Sequence, residues 1–552
     1  MIPPSSPWRN QSVFHCAVAP LRDALFQVAL GAILLCSGSA SAAAAEIYSN
    51  ATGGGVWSDP TTWRGGVVPG PEDDVVLARD DIVTFDRNDD GKVTCHLLSL
   101  DPRSVLQFKT GAGPVVFTAD GLVDSYGYIK LDASRAAADR HEFRLVSADA
   151  EQRVLRVSKG GGIVVSGRTG LPKGRRNAFL TAKPPKTEPP ADPTGILEAT
   201  EGSTIDLKRV EVDNVFVQAT SIDNTGAKAG ERASFVRNHF IGTSRLLLTS
   251  CDTVLVADNL FERNAQPPVS QSAIYLTGCP LAEVRGNTVR GTYTYGVMGY
   301  GQTESSVTNN LIEQCPNGFY WYGSDTMIKQ LTIRDCGASL TFTSATGAME
   351  DVTIEGCTSG YYHGGNAQIT NLVVRNMKPN NAYDIYFVSG SLKLVNCNIK
   401  PEQIQWNPGA FPPQLPTEKR RPPAVESMHF LVAQLKGQFP PGASIDVRTA
   451  APAVRLAAGA DDPNVRNSPA PVLSSGFTPL PKSLEPLILR GWMFDPDGKP
   501  IAAPEYQLRV LAPATAAGGE RPVLKTFSVK PDETWYRPQP NDKKATVEVS
   551  LP

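Results

Sequence analysis

Between residues 235 and 400 apolar residues recur in two columns, at the pace of a coil rather than of a helix or a hairpin. The strings FVRNHFIG, VLVADNLFERN, VRGNTVRG, VTNNLIEQC, IKQLTIRDC, MEDVTIEGC, ITNLVVRN and LKLVNCNIK each carry an apolar anchor: Phe240, Phe261, Val289, Ile312, Ile333, Ile354, Val374 and Ile399. The anchors stand 21, 28, 23, 21, 21, 20 and 25 residues apart. Five residues before each is a second apolar residue: Phe235, Val256, Val284, Val307, Ile328, Met349, Ile369 and Leu394. Short β-rich units at such a period, without helical periodicity, predict a solenoid whose coils stack their strands in parallel. Equivalent positions then form ladders with steps of about 4.8 Å. Two residues before the anchor, Asn238, Asn259, Asn287 and Asn310 form a predicted amide ladder at a tight bend. One residue after it, Glu262, Arg290, Glu313, Arg334, Glu355, Arg375 and Lys400 nearly alternate in sign, as cross-strand charge pairing favours.

A second strand precedes each string: LLLTSC, IYLTGC, VMGYGQ, FYWYGS, LTFTSA, YYHGGN and IYFVSG. Counting back from the anchors places Leu247, Tyr275, Met298, Phe319, Leu340 and Ile385 in one inward column. Strand alternation sends Tyr300, Trp321, Phe342, Tyr362 and Phe387 inward with them. The outward columns then hold Tyr320, Tyr361 and Tyr386, and Tyr322, Thr343 and His363, an aromatic face suited to stacking sugar rings. His363 is the one histidine of that face and, with Tyr322, the expected proton-transfer group. Glu304 and Asp325 share a column just beyond the strand. A close carboxylate pair divides acid and nucleophile roles or holds a hard cation, whereas acidic residues at such corners also serve simply to make the turn.

The columns and coil lengths are similar to the right-handed parallel β-helix of the pectin-lyase-like superfamily, over about residues 200–405, which implies a β-helix domain over 200–406. The resemblance implies an exported protein working on an acidic polysaccharide as a lyase or hydrolase. The alternative is a non-catalytic sugar-binding or structural protein of the cell surface. The Asp/Arg, Asp-Asp plus Gly-His-Gly, and Asp-Pro-His motifs of the pectate lyases, polygalacturonases and alginate epimerases of this fold are not intact. Upstream, VWSDPTTWRGGVVPGPEDDVVLARDDIVTFD carries Trp57, Trp63, Gly66, Pro69, Asp74, Val76, Val83 and Asp86. It resembles the eight-conserved-glycine domain of fibrocystin-type proteins and cell-surface hyaluronidases, which implies a β-rich cap domain over 46–199. Within it DRNDDG matches the first half of a calcium loop, with Asp86, Asn88 and Asp90 as oxygen ligands but Leu97 where the closing glutamate belongs. A plain β-turn is the other reading. The string GRTGLPKGRRNAF, with Arg168, Lys173, Arg175 and Arg176, is either an exposed loop or a clamp for carboxylated or sulfated sugars.

Composition narrows the class. The 552 residues carry 53 Lys+Arg against 55 Asp+Glu, a net charge of −2, which excludes a polybasic nucleic-acid binder. The apolar run 24–35, behind Arg9 and Arg22 and ahead of SGSASAAAA, is too short to span a bilayer. It predicts a signal peptide over 1–45, and hence a secreted, periplasmic or cell-surface monomer without membrane insertion. Beyond it Cys315, Cys336 and Cys357 recur at 21-residue intervals, and Cys251 and Cys279 close matching TSC and TGC triplets. Buried free thiols and a Cys251–Cys279 disulfide both fit this spacing. A proline-rich linker over 407–424 and alternating strands after it predict a C-terminal β-sandwich over 425–552. The expected fold is all-β: a parallel β-helix between an N-terminal cap and a C-terminal sandwich.

Overall fold

A computed structural model describes residues 45–552 except 112, 137, 150, 152, 173–174, 183–194, 223–232, 264–268, 380–382, 408–423, 437–442, 450–486, 495–498, 503–504, 514–520, 531–544 and 551–552. The predicted signal peptide, Lys173 and nearly all of the proline-rich linker lie outside the described residues.

The chain winds into a right-handed parallel β-helix with three faces. Face one begins with Glu46–Tyr48 paired in parallel with Asp74–Leu77 and ends with Ile385–Phe387 on Ile404–Trp406. Face two runs from Gly54–Val56 on Ile82–Phe85 to Ser391–Val395 on Ala424–Lys436. Face three is an 11-stranded sheet from Pro114–Ala119 to Val373–Arg375.

Both apolar columns expected from the repeat are ladders in register. Phe240 pairs with Phe261, and the row continues through Val289, Ile312, Ile333 and Ile354 to Val374 along face three. The row from Phe235 through Val256, Val284, Val307, Ile328, Met349 and Ile369 to Leu394 runs along face two. All of these side chains are buried. A single residue at positive φ turns the chain from face two to face three: Arg237, Asp258, Gly286, Asn309, Gln330, Asp351 and Asn371 in successive coils. Asn, Asp and Gly tolerate that conformation best, which explains the polar strings at the bend. The buried asparagines beside it link the coils: Asn259 Nδ2 donates to Asn287 Oδ1 at 2.9 Å, and Asn287 Nδ2 to Asn310 Oδ1 at 3.0 Å. Each amide also donates to a carbonyl of the preceding coil, as from Asn287 Nδ2 to Val256 O at 2.8 Å.

The boundary expected at 199/200 has no counterpart in these ladders. Gly195–Ala199 pairs in parallel with Val154–Val157 on one side and Val215–Thr220 on the other, so residues 46–199 are coils of the same solenoid. Along face one the paired positions Val75, Leu98, Val123, Leu155 and Leu197 are separated by 23, 25, 32 and 42 residues. Insertions of that size at the corners leave the strands stacked while erasing the period. The tryptophans six apart fill the first coils: Trp57 and Trp63 lie edge to face at 4.8 Å, Trp57 meets Phe85 and Phe117, and Trp63 Nε1 donates to Trp57 O.

At the other end Ala424–Lys436 continues face two and then pairs with Leu487–Phe494 and Ala545–Ser550. Ser444–Thr449, Tyr506–Leu511 and Val523–Val529 form a separate antiparallel sheet. The C-terminal strands are thus hydrogen-bonded directly to the last coil, which occupies its open edge. Phe387, Trp406 and Phe494 stack edge to face at 5.0 and 4.8 Å, and Trp492 Nε1 donates to Ile399 O, closing the core there.

Candidate functional site

Face one carries the aromatic surface, but in a different phase from the one expected. Leu247, Tyr275, Met298, Tyr320, Thr341, Tyr362 and Tyr386 form one outward row. Thr249, Thr277, Tyr300, Tyr322, Thr343 and Gly364 form the next. Tyr300 and Tyr322 are 48% and 44% exposed, and their rings stack at 5.1 Å. Tyr362 and Tyr386 stack at 5.4 Å, and Tyr295 meets Tyr320 edge-on at 6.0 Å. Tyr320, Tyr322 and Tyr386 face outward as expected; Leu247, Tyr275, Met298, Tyr300 and Tyr362, expected inside, join them.

Tyr361 and His363 are the corrections. Both are fully buried, in the inward rows that also hold Leu340 and Phe342. Two irregularities cause the slips, the first that of Met298 and Tyr300 and the second that of Tyr361, Tyr362 and His363. Gly301, at φ +66°, is an extra residue between Tyr300 and Gln302 that has no partner on the next coil. The coil over 359–370 lacks one residue relative to its neighbour, where the register shifts between Ser344 and Gly347. Counting from the anchors therefore slips by one, and a one-residue slip reverses which side chains face out.

The His363 ring sits in a closed network. Its Nε2 donates to Gly365 O and Ser391 O, both at 3.1 Å, and its Nδ1 accepts from the Tyr361 hydroxyl at 2.6 Å. Only carbonyls face Nε2, so that nitrogen carries the proton in this assignment. Burial lowers the His363 pKa to about 4 and raises that of Tyr361 well above its usual range, so both are neutral. Neither reaches a ligand, and the expected pairing of His363 with Tyr322 in one column is absent: Tyr322 pairs with Thr343, and His363 with Phe342.

Glu304 and Asp325 are exposed and occupy the same turn, between faces one and two, on adjacent coils. Both have positive φ, 49° and 51°, and Asp325 accepts from Thr346 Oγ1 at 2.5 Å. Turn-making accounts for both. The calcium-loop residues diverge: Asp86 accepts from Ser58, Asp90 from Arg144, and Asn88 bridges in parallel to Val116. Among the described residues no group of three or more His, Cys, Asp or Glu converges to hold a metal, so the calcium expectation lacks a cradle. Arg175 is exposed and Arg176 half-buried, both just ahead of the face-three strand Ala178–Ala182, away from the tyrosine rows. The Arg–Glu row is as expected, with Arg290 Nε 2.9 Å from Glu313, Arg334 Nη1 2.9 Å from Glu313 and Arg375 Nη2 3.2 Å from Glu355. Sequence reasoning missed its extension, His239, whose Nε2 lies 3.0 Å from Glu262 and Nδ1 3.8 Å from Glu211. Hydrogen bonds to Glu211 and Glu262 raise its pKa.

Cys251, Cys279, Cys315, Cys336 and Cys357 are buried free thiols, so the Cys251–Cys279 disulfide is absent. They donate to backbone carbonyls, as Cys279 does to Leu248 O at 3.4 Å. The hydrogen bond that Cys336 makes to Cys315, together with burial, pushes the Cys336 thiol up to about 12.

These features define a right-handed parallel β-helix with an aromatic outer face and no helix, among the described residues, long and apolar enough to cross a membrane. Within that class, residues 202–409 are similar to the family described as periplasmic copper-binding protein (NosD). No curated protein and no solved structure matches the chain. The family's periplasmic location agrees with the secreted, periplasmic or cell-surface location expected from the sequence. Copper needs several thiolate, thioether or imidazole donors around one point. The described thiols are instead buried, those of Cys251, Cys279, Cys315, Cys336, Cys357 and Cys397 bonded to carbonyls, and both nitrogens of His363 are engaged. The described donors do not fit a copper site.

Proposed function

We propose that the protein is an exported, non-catalytic β-helix that binds polysaccharide along face one. The two outward tyrosine rows carry this reading: exposed phenols on a rigid parallel sheet offer hydroxyls for hydrogen bonding and ring surface for contact with sugar carbons. The enclosure of His363 removes the expected base, which favours binding over turnover. A lyase or hydrolase reading is left with Glu304 and Asp325 at the rim of the same face.

Affinity electrophoresis of the purified chain through gels containing neutral or acidic polysaccharides tests the reading. Retardation by at least one polymer is expected, and its loss in the Tyr300→Ala/Tyr322→Ala double variant. Reducing ends and unsaturated-product absorbance should stay at background. Passage through every gel without retardation would overturn the reading, and polymer cleavage lost in Glu304→Gln or Asp325→Asn would replace binding with catalysis.

A further inference from the structure

The tyrosine surface is interrupted at one level. In the first row Tyr320 is followed on the next coil by Thr341 and on the one after by Tyr362. In the second, Tyr322 is followed by Thr343 and Gly364. Two coil steps of about 4.8 Å set Tyr320 and Tyr362 roughly 10 Å apart, with only threonine side chains between them. In the second row Gly364, on the coil of Tyr362, is buried beside Thr343, whose Oγ1 lies 3.2 Å from where a Cβ would stand, so no side chain rises there beyond the threonine.

The walls are oriented toward the gap. Tyr322 has one ring face against Tyr300, at 5.1 Å and 18° between planes, and Tyr362 has one against Tyr386, at 5.4 Å and 21°. Tyr300 lies on the coil before Tyr322 and Tyr386 on the coil after Tyr362, so the remaining ring faces of Tyr322 and Tyr362 look toward the threonine coil.

Charge decides what fits. From Ser272 to Phe387 no outward strand position of face one among the described residues holds Lys or Arg. The ionisable groups at the adjoining turn, Glu304 and Asp325, are both acidic and exposed. Along these strand rows and at this turn, a uronate or sulfate chain would meet repulsion without a compensating cation.

The geometry points to a threonine-floored notch, between Tyr320 and Tyr322 on one side and Tyr362 on the other, that takes one uncharged sugar unit of a neutral glycan. This rests on face one being the polysaccharide surface, and it reverses the acidic ligand that the fold resemblance implied. The sugar ring lies between the two free tyrosine faces and hydrogen-bonds to Thr341 and Thr343, while the rest of the chain passes over the neighbouring tyrosines.

Thr341→Tyr tests the notch, because it continues the tyrosine row and fills the gap without removing any existing contact. Calorimetric titration of the full chain with a soluble neutral β-glucan, a galactomannan and, in parallel, polygalacturonate and alginate is the measurement. Wild type should bind a neutral polymer and ignore the acidic ones, and Thr341→Tyr should weaken binding about tenfold or more with the melting temperature unchanged or raised. If Thr341→Tyr does not fold, Tyr362→Ala, which removes a wall, should give the same loss. Neutral binding untouched by either change, or preferential binding of an acidic polymer, overturns the notch but leaves face one as a polysaccharide surface. Binding of no polymer overturns both.

Discussion

Faces one and three are built on the same coils with the same spacing, yet their outer surfaces differ in kind. Face three presents a row in which Glu262, Arg290, Glu313, Arg334, Glu355 and Arg375 bridge coil to coil, every charge answered by a neighbour. Face one presents phenols and threonines without a cation among them from Ser272 onward. The charged row is satisfied internally and offers a ligand little. The tyrosines stack only in pairs and leave ring surface and hydroxyls to the outside. A ladder that satisfies itself serves register and solubility, whereas one that is interrupted leaves room for a partner.

The most disruptive way to sharpen the comparison is to cross face one from outside to inside. Trp321 is fully buried, stacks on Phe319 at 5.5 Å and donates through Nε1 to Thr326 Oγ1. Trp321→Ala should cost about 3–5 kcal/mol of unfolding free energy in urea titrations. Tyr322→Ala, one residue along and 44% exposed, should cost about 0.5 kcal/mol or less. Equal losses would mean that the tyrosine rows are structural and would remove their claim to a ligand.

A smaller effect separates the two faces by pH. His363, neutral in the core, titrates at about 4 when folded against an ordinary 6.5, because burial disfavours the imidazolium. Its stabilisation is complete above 6.5 and lost as pH falls through about 4, on the order of 3 kcal/mol in all. His239 has the opposite sign: bonded to Glu211 and Glu262, its folded pKa lies above 6.5, so its contribution is complete below that value and is lost as pH rises through the folded pKa. Urea midpoints measured from pH 4 to 8 should show the acid limb flattened in His363→Gln and the alkaline limb flattened in His239→Gln. Matching pH profiles in the two variants would contradict the assignment.

The smallest change is expected on face three. Glu313→Gln breaks two ion pairs, to Arg290 and Arg334, that are partly open to water. The expected cost is about 1 kcal/mol or less, shrinking further in roughly 1 M salt. A larger, salt-insensitive loss would make the charged row a principal support of the solenoid.

Much of this was legible in the chain. The two apolar columns, the asparagine bend and the alternating charges follow from spacing alone, because a coil of nearly constant length converts sequence period directly into stacking. The N-terminal coils were not legible as coils, since corner insertions up to the 42-residue step from Leu155 to Leu197 destroy the period while leaving the parallel pairing intact. The candidate site was legible only as an aromatic strand. Its phase depended on one extra residue at Gly301 and one missing from the coil over 359–370, and single-residue length changes inside a repeat are silent in composition and pattern.

The sequence by itself determined that strands stack in parallel, which residues anchor them and where the charges pair, because each of these is a local consequence of period and residue type. Tertiary structure alone decided that Tyr300 and Tyr362 face solvent, that His363 and Tyr361 close on each other in the core, and that Thr341 and Thr343 stand between tyrosine walls. Those outcomes depend on register between coils some 20 residues apart. Register is set by backbone pairing across the whole stack, where a shift of one residue exchanges inside for outside.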